Sequence, residues 1–302
     1  MPRTVAVTGA TGLIGSKVTA ALLDRGDAVV ALVRGPPRPD LPGAVEQRAW
    51  SASDPAADLA DVDAVVHLAG EPIAAGRWTA ARKRAIADSR IHGTRSIVEG
   101  IRAAGGRVRV LVSASGIDIH PDPGDAPVDE RSPTGGGFLG ELGERWEAEA
   151  ARARESGARV VALRTGLVLA REGGALPMML TPFRLGLGGP MGSGRQYWPW
   201  IHLADEVGLV LHALDAASLD GPMICAAPHP VRQRDFARAL GRTLGRPAVL
   251  PAPAFALRLA LGEMAGTVLA SHRAVPRVAL ESGYTFRFPT LDAALADLIS
   301  AR

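Results

Sequence analysis

The chain has 302 residues, 47% apolar and 22% charged, an ordinary balance for a globular protein with room for a sizeable core. No run approaches the ~18 apolar residues of a membrane span, and a single cysteine, Cys225, excludes an intrachain disulfide and argues against a cysteine-built metal site. A pI near 9.6 points toward nucleic acid, but the net charge is only +3 and the arginines alternate with Asp and Glu without forming a basic arm, so nucleic acid is not an expected partner.

In chain order, apolar runs predict strands at Thr4 to Thr8, Ala28 to Val33, Val45 to Trp50, Ala64 to Leu68, Val108 to Ser113 and Arg159 to Thr165. Helical spacing predicts helices over Leu13 to Arg25, Ile86 to Ala104 and Leu139 to Ser156. Strands that are apolar on both faces and alternate with helices imply an α/β fold with a parallel sheet covered on both sides. Beyond Leu169, dense Gly and Pro between Gly173 and Gly194 predict loops around a ligand cleft. Helices are expected at Ala204 to Leu214, Arg232 to Leu244, Ala254 to Met264 and Leu291 to Ile299, with a short strand at Met223 to Ala226. Residues 1–168 are therefore expected to form a Rossmann-type doubly wound domain, with 204–226 returning to it. Residues 169–203 and 227–302 are expected to form a smaller, mainly helical substrate-side domain. The N-terminus enters a strand almost at once, so no signal peptide is expected and a cytoplasmic location is the default.

The most informative segment is Gly9-Ala10-Thr11-Gly12-Leu13-Ile14-Gly15, between the first strand and the first helix. Gly9 permits a tight turn, Gly12 lets backbone approach a pyrophosphate, and Gly15 lets the helix pack close to the strand. The helix N-terminus then offers N–H groups and a positive dipole end to phosphates. The second strand ends in Val33-Arg34 where an acidic residue would select NAD(H); the cation suits a 2′-phosphate, which favours NADP(H) over NAD(H). Leu68-Ala69-Gly70, after the fourth strand, is expected to pass close to the ribose.

These residues resemble the extended short-chain dehydrogenase/reductases, the superfamily of nucleotide-sugar epimerases and dehydratases. Arg164-Thr165-Gly166, Pro182 through Pro190, Gly192-Ser193-Gly194-Arg195-Gln196, Trp200-Ile201-His202 and Pro251 through Met264 are similar to one subgroup, the epimerase family proteins once labelled SulA-like. The resemblance implies NADP(H) binding and leaves the substrate open. It also exposes a gap. The superfamily's Tyr-x-x-x-Lys pair is absent: by register Leu139 and Gly143 stand in its places, and Gly143 also replaces a cysteine common in the subgroup. Where the subgroup has Gly-Tyr-Tyr-Gly, this chain reads Asp118-Ile119-His120-Pro121.

Few candidates remain for the chemistry. The resemblance places Ser115 at the superfamily's catalytic serine. Asp118 and His120 lie just beyond, and an imidazole can replace a phenol as proton donor. Glu147 is expected to pack or pair on its helix. Ser113 and Arg164 are expected beside the cofactor, and Arg195, Gln196, Tyr197, Trp198, Trp200 and His202 around a small-molecule substrate. No His-x-x-x-His or similar metal spacing occurs. The expected activity is reduction of a carbonyl or activated double bond by a monomer or homodimer. Two alternatives stay open: an NADP(H)-binding sensor or scaffold, and a cofactor-bound isomerase, cyclase or epimerase.

Overall fold

The computed structural model describes residues 2–300. Strands β1 (Thr4–Thr8), β2 (Ala28–Val33), β3 (Glu46–Ala49), β4 (Ala64–His67) and β5 (Val110–Gly116) form one parallel sheet with Arg159–Thr165 and Gly221–Cys225. The spatial order is Gly221–Cys225, Arg159–Thr165, β5, β4, β1, β2, β3. The order reverses between β1 and β4, and such a switch point opens a crevice at the carboxyl ends of the strands.

The sheet forms because successive side chains point to opposite faces and both faces find an apolar cover. Val5 and Val7 face Val18 and Leu22 of helix α1 (Leu13–Asp24), together with Leu209 and Val210 from the helix Leu203–Asp215. Ala6, Val30 and Leu111 face the other way, onto Ile97 and Ile101 of α2 (Ala80–Ala103) and Ala150 of α3 (Gly137–Ala151). A register slip of one residue would exchange these two sets, so the pattern specifies the pairing strongly. Helix α2 starts six residues before its expected first residue, because the Thr79 side chain caps it by accepting from the Arg82 N–H at 3.2 Å.

A second core joins Leu176, Leu180 and Phe183 to Trp200, Phe236, Leu240 and Leu295. Its first three residues lie on a helix, Ala175–Arg184, inside the stretch expected to be loops. Pro177 falls in its first turn, where the missing N–H costs nothing, and Pro182 falls two residues before its end. The C-terminal segment returns to the sheet domain: Arg273–Ala274 pairs in parallel with Pro127–Val128, in the loop after β5. No helix among the described residues is long and apolar enough to cross a membrane.

Candidate functional site

The glycine turn is shaped by contacts that leave no room for side chains. Gly9 has φ +68°, and a Cβ there would lie 3.1 Å from the Leu68 carbonyl. A Cβ on Gly15 would lie 2.0 Å from the Gly9 carbonyl oxygen. Gly12 precedes α1, whose first turn carries no acidic residue, so its N–H groups face the crevice with an uncompensated positive dipole end. Thr8 fastens β1 to β4 at the switch point. Its hydroxyl oxygen accepts from the Leu68 and Ala69 N–H groups at 3.0 Å each and lies 2.8 Å from His67 Nδ1. His67 Nε2 reaches Thr94 at 3.2 Å, and Trp146 donates to the same hydroxyl at 2.9 Å. Burial first, and then the Arg90 charge, push the His67 pKa down to about 4, so this chain of bonds is uncharged near neutrality. Thr8 and Thr94 were not legible as site residues because their partners lie far away in sequence.

Two cavities share the turn and the Leu68-Ala69-Gly70 segment. One, of about 350 Å³, runs under Arg34, Arg38, Trp50 and Ser51. Thr11 also lines it. Arg34 is exposed and has no ion pair among the described residues, whereas Arg38 is paired with Asp40. Arg38 is an addition to the expected set; it lies in the Pro-rich loop that follows β2.

The other cavity, of about 390 Å³, extends from Leu13, Ile14 and Gly15 across to Ser115, Asp118, Ile119, Thr165 and Glu206. Leu139 and Gly143 line it, at the places the register assigns to the missing Tyr and Lys. Ile119 fills the space a longer residue would need: a Cβ on Gly143 would lie 2.8 Å from Ile119 Cγ1. Arg90 is a cation of this cavity that sequence reasoning passed over. It rests 5.0 Å from the Trp146 ring centroid and donates to the Glu71 and Ile86 carbonyls at 3.0 and 3.2 Å. Burial lowers its pKa to about 10, so it stays charged. Its position four residues after the buried Ile86, on the same helix face, was the available signal.

Several expected site residues are engaged elsewhere. Arg164 does not line either cavity. Its guanidinium grips Glu147 through two bonds of 2.9 and 2.8 Å and also donates to the Glu130 carbonyl at 3.1 Å. Glu147 therefore pairs across to the sheet and not along its own helix. His120 is buried, with Nδ1 2.8 Å from the Pro133 carbonyl and Nε2 3.2 Å from Arg164 Nη1. Both ring nitrogens are occupied, and burial lowers its pKa, so it is a neutral structural histidine and not a proton donor to the cavity. Ser113 is buried in β5 away from the cavities. Ser115 does face the cavity, with its hydroxyl donating to Glu147 at 2.7 Å.

Among the described residues, three that bear carboxyl groups line the cavity; Glu71 is paired with Arg82, which leaves Asp118 and Glu206. Asp118 has its pKa raised by burial, an effect opposed in part by nearby His272. Glu206 is fully buried and accepts from the Thr165 hydroxyl at 2.8 Å, while its second oxygen has no partner. Burial lifts its pKa from 4.5 to about 7. The signal for Glu206 was an acid among apolar residues of a helix, beside Val207, Leu209 and Val210. Because the folded state holds this proton more tightly than the unfolded chain, stability falls as pH rises from about 4.5 to about 7 and is flat above. The raised value corresponds to about 3 kcal/mol. Glu206→Gln is expected to remove this slope. Urea midpoints at about pH 5 and about pH 8 check it: the variant should gain on the wild type at the higher pH, and parallel profiles would contradict the assignment.

A third cavity, of about 300 Å³, shares Asp118 and Thr165 with the second and is walled by Leu167, Met179, Trp198, Pro199, Leu257 and Val268. Of the expected substrate residues only Trp198 lines it. Arg195 is exposed, Gln196 is buried and bonded to the Met191 carbonyl, and the Tyr197 ring carries the guanidinium groups of Arg232 and Arg273 at 4.5 and 5.5 Å from its centroid. Trp200 is buried in the second core. His202 caps the following helix, accepting from the Ala204 N–H at 3.0 Å, and stacks on Phe288.

A doubly wound parallel sheet with a glycine turn at its switch point defines a Rossmann-type dinucleotide-binding fold. The chain belongs to the NAD dependent epimerase/dehydratase family, whose pattern matches residues 5–224. Residues 252–298 match a second family, described as a domain of unknown function (DUF1731). An epimerase family protein of Mycobacterium bovis is 40% identical over 296 residues, covering 96% of each chain. The crystal structure of human epimerase family protein SDR39U1 with NADPH superposes with a TM-score of 0.91 at 35% identity, covering 99% of this chain and 100% of that one. A nucleoside-diphosphate sugar epimerase from Corynebacterium glutamicum superposes at 0.81 with 33% identity, covering 98% of this chain and 58% of that one. MoeE5, solved with UDP-glucuronic acid and NAD, is 22% identical with a TM-score of 0.77 and shares the fold.

Proposed function

We propose that the chain is an NADPH-dependent reductase that acts on a carbonyl or activated double bond without a Tyr-x-x-x-Lys pair. The observation that carries this is the continuous groove: Arg34, with no ion pair among the described residues, at one end, the helix N-terminus in the middle, and Asp118 with Ser115 at the other. The NADPH in the human relative's structure supports the same cofactor. Arg34 would hold the 2′-phosphate, and the Leu13, Ile14 and Gly15 segment the pyrophosphate. When bound, the cofactor supplies a hydride, and so two electrons, to the electrophilic carbon of the substrate. A proton must then reach the carbonyl oxygen or the α-carbon. Asp118 is the group placed to give it, since it borders both cavities and burial favours its protonated form. Cytoplasmic NADPH would keep such an enzyme supplied.

The Leu139 and Gly143 pair favours a second reading, NADPH binding without turnover. The two are separated by incubating the NADPH-loaded protein with a panel of carbonyls and enones. Oxidation of the dihydronicotinamide, followed by its absorbance, supports the reductase; tight binding without oxidation supports the sensor. Arg34→Ala is expected to weaken NADPH at least ~10-fold, the equivalent of one charge-assisted hydrogen bond, and to leave NADH affinity unchanged. Equal effects on the two cofactors would remove Arg34 from the 2′-phosphate site.

A further inference from the structure

We propose that the third cavity takes an apolar, uncharged substrate with one reducible group, which it presents to Asp118 and Thr165, and that it does not take a nucleotide sugar. The proposal rests on the reductase reading above and narrows its substrate class. Three observations carry it. First, the cavity meets the cofactor groove at Asp118 and Thr165, so a molecule lying in it puts its polar end where the two spaces join. Second, its walls contain no arginine or lysine among the described residues. A nucleoside diphosphate carries charges that proteins neutralise with arginine clamps or clustered N–H groups at helix N-termini; the glycine-turn helix N-terminus lines the cofactor groove, and the one helix start in this wall, Ala175, has no arginine or lysine of the described residues beside it there to complete an anion site. The one basic side chain in the wall, His272, is buried and already bonded to the His120 carbonyl at 3.0 Å. A phosphate or carboxylate placed among Leu167, Met179 and Trp198 would remain unpaired, a costly burial.

Third, the cover of the cavity is apolar on its inner side and carries large exposed apolar side chains outside, with Arg258 its one charged residue. The helix Ala254–Leu261 contains no buried residue. Leu257 and Leu261 face inward to the cavity, while Phe255 and Leu259 are 72% and 75% exposed. Arg77 holds the end of this helix by donating to the Leu259 carbonyl, and Lys83 pairs with Glu263 just beyond it. An entering molecule therefore crosses an apolar flap held at its far end by polar ties. The cover and much of the wall come from residues 252–298, the segment outside the match to the epimerase family pattern.

The test uses the full chain loaded with NADP+, so that binding is measured without turnover. The probes are benzylideneacetone (an uncharged aromatic enone), its para-carboxylate analogue and UDP-glucose, each titrated by calorimetry. Saturable binding of the neutral enone is expected, with the carboxylate and UDP-glucose each at least ~10-fold weaker. Leu257→Asp and Met179→Asp, on two separate elements, are expected to weaken the enone at least ~10-fold while NADP+ affinity is retained, which also reports that the variants fold. Binding of UDP-glucose as tight as or tighter than the enone, no saturable enone binding, or variants without effect would overturn the proposal. Failure of the chain to bind NADP+ at all would instead overturn the reductase reading.

Discussion

Gly15→Ala is expected to abolish high-affinity NADPH binding. The added Cβ would lie 2.0 Å from the Gly9 carbonyl oxygen and 2.7 Å from its carbon, and neither is the end of a flexible side chain. Relief requires α1 to move away from the turn, which withdraws the same N–H groups that face the pyrophosphate. Overpacking of this kind costs about 1–3 kcal/mol, and each ~1.4 kcal/mol of lost binding is tenfold in affinity. A loss of at least ~10-fold in NADPH affinity by titration, with a lowered Tm, is the expected outcome. Gly43→Ala is the control, because nothing lies within 4 Å of a Cβ there. If the Gly15 variant binds NADPH like the wild type, the phosphates do not sit on this turn.

Glu147→Ala should produce the largest loss of stability. Glu147 and Arg164 have side chains only 16% and 6% exposed, and Glu147 also receives the Ser115 hydroxyl. Removing the carboxylate leaves a guanidinium buried without its counter-charge, which costs about 3–5 kcal/mol, whereas a buried ion pair exchanged for apolar residues is often close to neutral. The double variant Glu147→Leu with Arg164→Met should therefore recover much of what Glu147→Ala loses. Urea unfolding of the three proteins measures it. If the single substitution costs less than about 1 kcal/mol, the pair is not holding β5, α3 and the Arg159–Thr165 strand together.

The sheet and the turn were legible because their signals are local. Thr4–Thr8 and Ala28–Val33 are short apolar runs bounded by breakers, and Gly12 and Gly15 answer to contacts within the turn itself; Gly9 is also required by the distant Leu68, but its place in the glycine spacing made it legible. The substrate side was not. The run Tyr197-Trp198-Pro199-Trp200 reads as one aromatic cluster, but the chain changes partner at Pro199. Tyr197–Trp198 pairs with Val231–Arg232, and Trp200–His202 pairs with Leu167–Leu169. Both indoles join the second core, and only Trp198 also reaches the cavity. The helix Ala175–Arg184 was hidden by its two prolines, whose placement in the first and last turns only the folded chain reveals.

By itself the sequence determined the class of cofactor site and the loss of the Tyr-x-x-x-Lys pair, since both depend on residue identity at short, regular spacing. Only the tertiary structure decided which polar groups face the groove. His120 is neutralised by burial and bonded to Pro133 and Arg164, Arg164 is bound to Glu147, and Glu206 is left with a free oxygen beside Thr165. The protonation state and availability of a side chain follow from burial and from its partners. Those partners lie 13 to 44 residues away in sequence, beyond what the spacing along the chain can convey.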